Sequence, residues 1–357
     1  MSNNTQPQLL ENYLITNAGL VDRHTIVLVA HWDDSRAARQ HADRPPPVRV
    51  IVHNRARQSW GALELADGDF DSANSICGGI VAGRREALVV DSSGRTLFFG
   101  FAGNNGFEGL VPAAVLVPVR KVRLIGERYY AVSFERDVAL REAPNRWRTI
   151  SEEAVADYRR GGHTMSAVGF EDIDGFSEQD IYACGEQGDL WHYDGTHWRT
   201  LDPPCNWRME RLCCAADGLV YIVGFAGEVL VGRDEQWRRV VAEPQPFNVE
   251  RIAWFQGRLY AVTHGFLFVL DGERWRGLDY GQDRRPSSFG YLDATEDALL
   301  VAGPDSATVF DGTRWETIIG GVSPTDLLRA RLMQQQVDNL EGLRDALATH
   351  EPHRSDP

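Results

Sequence analysis

Lysine is all but missing from this chain: Lys121 is the single one, and the other basic residues among its 37 are arginine. That bias fits GC-rich codon usage and points to a bacterial source more than to any function. Positive charge as a whole is in deficit, with a net charge of −14. A nucleic-acid or anionic-membrane surface needs a basic footprint, so neither partner is expected. Long apolar runs are absent too, and no stretch reaches the ~18 residues a membrane helix requires. The polar start MSNNTQPQLLENY has no basic region followed by an apolar one, so no secretory signal is expected and the cytoplasm is the expected location. Cysteines number five, an odd count with no C-x-x-C spacing, and they read as small buried hydrophobes in a reducing compartment. Catalytic signatures are also wanting: no G-x-S-x-G, no H-E-x-x-H and no phosphate loop occurs. No cofactor or metal is expected.

What is present is repetition. Tryptophans at Trp198, Trp237, Trp275 and Trp315 are spaced 39, 38 and 40 residues apart, with Trp147 ahead of them. The second residue of a short β-rich run (YYAVS at Tyr129, IYACG at Ile181, VYIVG at Val220, LYAVT at Leu259, LLVAG at Leu299) lies 15 to 17 residues ahead of each. REALVVDSSGRTLFFGFAG, from Arg85, aligns without a gap to MERLCCAADGLVYIVGFAG, from Met209, which adds a sixth unit. Residues 10–83 hold TIVLVAHW, VRVIVHN, ALEL and Trp60, and count as a seventh, divergent unit.

Each unit reads as four strands; in one of them these are VERIAWF, RLYAVTH, FLFVLDG and ERWRGL. Repeats of ~40 residues with four strands are the mark of a β-propeller blade, because a lone four-stranded sheet cannot bury both faces and radial packing buries them. The expected fold is therefore all-β: a propeller of seven four-stranded blades over residues 1–320, with 10–83 as the divergent blade and 84–318 as six recognisable ones. Six or eight blades would fit the same period. The run I-Y-A-C-G-x-x-G-x-L-x-x-x-D-G-x-x-W resembles bacterial propeller repeats of the BNR and photosystem-assembly-factor-like type, and more loosely kelch, over about residues 84–318. The S-x-D-x-G-x-x-W box of sialidase-type propellers and the G-H…W-D pairing of WD repeats are both missing. Such families host hydrolases, lyases and scaffolds, so the resemblance implies a fold and leaves the activity open.

The recurrent phrase DGTHWRTL (Asp194), DGERWRGL (Asp271) and DGTRWETI (Asp311) fits a hairpin between third and fourth strands, with Asp-Gly as the two central residues of a type I′ turn. His197 aligns with Arg274 and Arg314 and reads as a hairpin-flanking surface residue. The strand order puts these turns on one face. The opposite face carries the start of each inner strand and each turn between strands two and three. At the inner-strand starts the aligned pairs are Glu86-Ala87, Arg120-Lys121, Glu210-Arg211 and Glu250-Arg251. At the turns the aligned residues are Phe101, Phe134, Glu186, Phe225, His264 and Pro304. Exposed rings beside cations are the residue types that dominate protein interfaces. Phe101, Phe134, Phe225, His264, Lys121, Arg211 and Arg251 are thus the expected partner-binding set. The plainer alternative is inter-blade salt bridging, as between Glu210 and Arg251, with the rings tucked under loops.

ADGDFDS offers Asp67, Asp69 and Asp71 at calcium-loop spacing, but Ser72 stands where the turn needs Gly, so a solvated loop is favoured. FEDIDGFSEQD reads as an acidic excursion between two strands, with Asp172, Asp174, Glu178 and Asp180 as surface carboxylates. SEEAVADYRRGGH and DDSRAARQHADRPPP are insertions that could carry recognition. Ser323 as N-cap and Pro324 in the first turn predict a helix over 323–348, docking on the propeller or on a partner, followed by a disordered tail at 349–357. The function these features point to is a non-enzymatic scaffold binding another protein: an adaptor, an assembly factor or an immunity protein against a toxin. The competing class is a propeller lyase or hydrolase with carboxylates or a metal at the channel mouth.

Overall fold

In a computed structural model the strands form seven four-stranded antiparallel sheets, each built from four consecutive strands. The structure describes residues 9–10, 12–33, 48–65, 70, 73–101, 103–109, 111, 118–133, 135–161, 169–241, 243–280 and 285–320. The expected helix at 323–348, the tail after it, Phe134 and the ADGDFDS acids lie outside the described residues.

Blade 1 is β1 (Tyr13–Asp22), β2 (Thr25–Trp32), β3 (Val48–Asn54) and β4 (Ser59–Leu65). Blade 2 is β5 (Ala73–Val81), β6 (Arg84–Asp91), β7 (Thr96–Gly100) and β8 (Asn104–Glu108). Blade 3 is β9 (Val119–Ile125), β10 (Arg128–Ser133), β11 (Val138–Ala143) and β12 (Arg146–Thr149), and the helix α1 (Glu152–Arg160) follows it. Blade 4 is β13 (Phe170–Ser177), β14 (Asp180–Gly185), β15 (Leu190–Tyr193) and β16 (Trp198–Thr200). Blade 5 is β17 (Met209–Cys214), β18 (Val220–Gly224), β19 (Val229–Arg233) and β20 (Gln236–Val241). Blade 6 is β21 (Arg251–Phe255), β22 (Arg258–Val262), β23 (Leu267–Asp271) and β24 (Arg274–Gly277), and blade 7 is β25 (Tyr291–Thr295), β26 (Ala298–Gly303), β27 (Ser306–Phe310) and β28 (Trp315–Ile319).

The core sits between blades rather than within them. Seven apolar clusters each join two neighbouring blades, so every sheet buries both faces against its neighbours. Trp147, Trp198, Trp237, Trp275 and Trp315 all fall on fourth strands, as does Trp60, which stacks on His53 at 3.9 Å. Trp275 spans a junction: buried against blade 5, its indole N–H donates to the carbonyl of Gly227 at 2.7 Å.

Ring closure uses no shared strand among the described residues, since each sheet contains strands of one blade only. Blades 7 and 1 are joined instead by the cluster around Leu20, Leu28 and Leu300, by Ile15 N–H donating to the Pro304 carbonyl at 2.9 Å, and by the Arg55–Glu316 ion pair.

Two details differ from the sequence expectation. The Asp-Gly turns are not type I′. Asp194 precedes the turn and only Gly195 takes positive φ, at 95°; Gly312 does the same at 93° after Asp311. The aspartate accepts the next N–H groups instead, those of Thr196 and His197 at 2.8 Å and of Thr313 and Arg314 at 2.9 Å. These hydrogen bonds hold the Asp194 carboxyl down to about 2.

Second, the expected boundary near residues 83 and 84 falls in the turn between β5 and β6, inside blade 2. The stretch REALVV is a second strand, whereas its aligned partner MERLCC is a first strand. The shared GFAG encodes a local turn and not a place in the blade: Gly103 N–H donates to Gly100 and Gly227 N–H to Gly224, at 2.9 and 3.1 Å.

Candidate functional site

The inner strands, one per blade, line a central channel, and being edge strands they would leave N–H groups without a ladder partner. Side chains from the neighbouring blade fill that need. Ser75 Oγ accepts from Val122 N–H and Cys77 Sγ from Leu124 N–H, both at 3.0 Å. Asp172 and Asp174 accept from Leu212 and Cys214 N–H at 3.0 Å, and Asp293 from Leu20 N–H at 2.7 Å. Asp174 also grips Arg123 through two bonds of 2.9 and 3.0 Å.

FEDIDGFS is therefore an inner strand and not the expected surface excursion. Ile173 is buried between the two aspartates, and the period-2 placement of Asp172 and Asp174 was the available signal. The channel thiols are inert: burial pushes Cys77 to about 11 and Cys213 to about 12. All five cysteines are free. Among the described residues, no three His, Cys, Asp or Glu side chains gather closely enough to share a metal ion.

The antiparallel order gives the disc two faces. One, the hairpin face, carries the turns joining first to second and third to fourth strands. The other, the link face, carries the blade-to-blade links and the turns joining second to third strands. Phe225 follows β18 and His264 lies just past β22, so both are on the link face, 48% and (for its side chain) 85% exposed. Lys121, Arg211 and Arg251 stand at the starts of β9, β17 and β21 on the same side. Phe101 does not join them. It follows β7, a third strand, with its N–H donating to Arg85 O at the start of β6, and so belongs to the hairpin face. The slipped alignment of blade 2 is the reason, and Glu86-Ala87 is displaced with it into a second strand.

Glu250 ties the link-face residues together. Its carbonyl accepts from Arg211 and from Arg251, the latter at 2.7 Å, and its carboxylate meets His264 at 3.1 Å. The preceding N–H, of Val249, donates to Phe225 O at 3.1 Å. Four of the expected residues thus meet at the Val249-Glu250 link, and Lys121 lines a cavity of about 280 Å³ at the channel mouth together with Arg211 and Arg251. The inter-blade ion pairing foreseen as the alternative is there too, with different partners. Arg208, on the link into blade 5, reaches Glu171 at 3.2 Å and Glu186 and Glu210 at 2.9 Å each. Burial raises the Glu171 carboxyl, and Arg120 and Arg208 oppose that rise. Burial likewise lowers Lys121, opposed by Asp172 and reinforced by Arg251, while burial and then the neighbouring Arg211 take Arg251 to about 10. Arg251 stays charged at neutral pH.

No family model matches the chain. Over 200 residues it is 34% identical to the immune protein Tsi7 of Pseudomonas aeruginosa, a match spanning 56% of this chain and 64% of that protein, just under two thirds of the relative's length. The chain is similar to an immune protein. Among solved structures it superposes on YCF48 bound to D1 peptide with a TM-score of 0.56 at 14% identity, covering 83% of this chain and 91% of that one. The β-propeller domain of Myceliophteria thermophila Cps50 (Swd1) gives 0.56 at 10% identity, covering 84% and 97%. The WD40 β-propeller domain of Doa1 gives 0.52 at 12%, covering 82% and 90%. At these identities the structures share the propeller fold with this chain and nothing more is carried by them. Among the described residues no helix is long and apolar enough to cross a membrane.

Proposed function

We propose that this propeller is a non-enzymatic protein-binding scaffold of the toxin-immunity type, which works in the cytoplasm and engages its partner through the link face. The observation that carries the reading is the relatedness to an immune protein, at 34% identity over 200 residues. The link face supplies a matching surface: Phe225 stands exposed beside the Arg211, Arg251 and His264 group held by Glu250. Aromatic and arginine anchors around a rigid centre are what concentrate binding energy in protein interfaces. The platform itself is preorganised, because every blade is locked to two neighbours, so little ordering cost opposes association.

The test is protection. The chain is co-expressed with the product of each gene flanking its own, and survival is counted with wild type and with the Phe225→Ala, Arg251→Ala double variant. Survival with wild type and loss of at least tenfold with the double variant, at equal soluble expression, is expected. Equal survival would overturn the assignment of the face, and no protection by wild type would overturn the immunity reading.

A further inference from the structure

Five cations line the channel mouth (Arg120, Lys121, Arg208, Arg211 and Arg251) with three acids, Glu171, Asp172 and Glu210, in a chain whose net charge is −14, and Glu186 and Glu250 stand beside this lining. The acids are already engaged. Asp172 accepts backbone N–H bonds from Ile173 and Leu212 at 2.9 and 3.0 Å. Glu171 and Glu210 are taken by Arg208, with Arg120 also 3.7 Å from Glu171.

Three of the cations are left with little to hold. Arg251 donates to a carbonyl, and Arg211 to two carbonyls with the Glu210 carboxylate 3.9 Å away. The Lys121 side chain makes no hydrogen bond or ion pair among the described residues, and Asp172 is the opposite charge that acts on it. These groups come from blades 3, 5 and 6, so they surround a shared space rather than lie along one strand. The mouth cavity of about 280 Å³ opens beside a channel cavity of about 830 Å³, which Lys121 and Arg251 also line. Mutually repelling cations held around a partly desolvated cavity are costly unless an anion sits between them.

We propose that the channel mouth binds a small multivalent oxyanion, held by Lys121, Arg211 and Arg251. The anion enters from the link face, neutralises the three cations and cross-braces blades 3, 5 and 6. Its oxygens are either those of a free ion such as phosphate or those of an acidic group carried by a protein seated on that face, and the chemistry of capture is the same.

The full chain is melted in potassium phosphate and in potassium chloride at pH 7 and matched ionic strength, as wild type and as Lys121→Met. Phosphate is expected to raise the wild-type midpoint by about 3 °C over chloride, the scale set by ligand linkage for a domain of this size. Lys121→Met should melt higher than wild type in chloride, because a repelling charge is gone, and should lose the phosphate increment. An equal increment in both proteins would be a general salting effect and would overturn the proposal, as would no increment in wild type. Arg251→Met, on a different blade, is read the same way if Lys121→Met does not fold. With the protein partner bound, phosphate that binds without displacing it identifies a free ligand; phosphate that displaces it identifies an oxyanion carried by the partner. The melting assay contains no partner, so its failure leaves the protein-binding reading untouched, and failure of protection leaves the anion site untouched.

Discussion

Asp174 shows how much one inner-strand side chain does. It accepts the Cys214 N–H of the next blade and, in two further bonds, the Arg123 guanidinium of the blade before, so a single carboxylate fastens three consecutive blades. Asp174→Ala removes both roles at once and leaves a desolvated guanidinium and an N–H without an acceptor. A loss of about 2–4 kcal/mol is expected in chemical denaturation. Asp174→Asn keeps an acceptor for Cys214 and should lose less; equal losses would mean that the hydrogen bond to Cys214 contributes nothing beyond the ion pair. These residues were poorly legible in sequence for a physical reason. The junctions between blades 2 and 3, 4 and 5, and 7 and 1 meet the same need with different residue types, a serine and a cysteine from blade 2 and aspartates from blades 4 and 7, so no one residue type marks the position along the whole repeat. The cationic residues were easier, because Lys121, Arg211 and Arg251 recur at one strand position.

At the scale of the strand, period and pattern were enough to find most blades, since every fourth strand outside blade 2 brings a tryptophan to the same place. Blade 2 was misread because β8 (NNGFE) carries none, and the remaining landmark, GFAG, marks a turn that ends a second strand in blade 5 and a third strand in blade 2. The tight fit of blade 2 against blade 1 depends on Gly78 in β5. A Cβ there would stand 2.8 Å from the Leu20 carbonyl oxygen and from a Val21 methyl. Gly78→Ala is therefore expected to cost about 1–3 kcal/mol through overpacking. Gly61→Ala, in the exposed strand β4 where a Cβ meets nothing within 4 Å, should stay within about 0.5 kcal/mol of wild type. Denaturant midpoints of the two variants check the contrast; equal effects would show that the blades can separate enough to admit a methyl group.

Across the whole molecule, burial at seven junctions yields a rigid disc whose two faces differ in chemistry. The hairpin face carries turns braced by their own aspartates, along with Phe101. The link face gathers Phe225, His264, Arg211 and Arg251 around Glu250, with Lys121 lining the channel mouth along with the two arginines. Partner binding is proposed for the link face. Its most direct measurement is the dissociation constant of the purified partner by titration calorimetry, taken for wild type, for Phe225→Ala, Arg251→Ala and for Phe101→Ala. A weakening of at least ~10-fold is expected for the link-face variant, the loss that follows when central anchors are truncated, with an unchanged constant for Phe101→Ala. Weakening by Phe101→Ala with the link-face variant unaffected would contradict this assignment and move the interface to the other side of the disc.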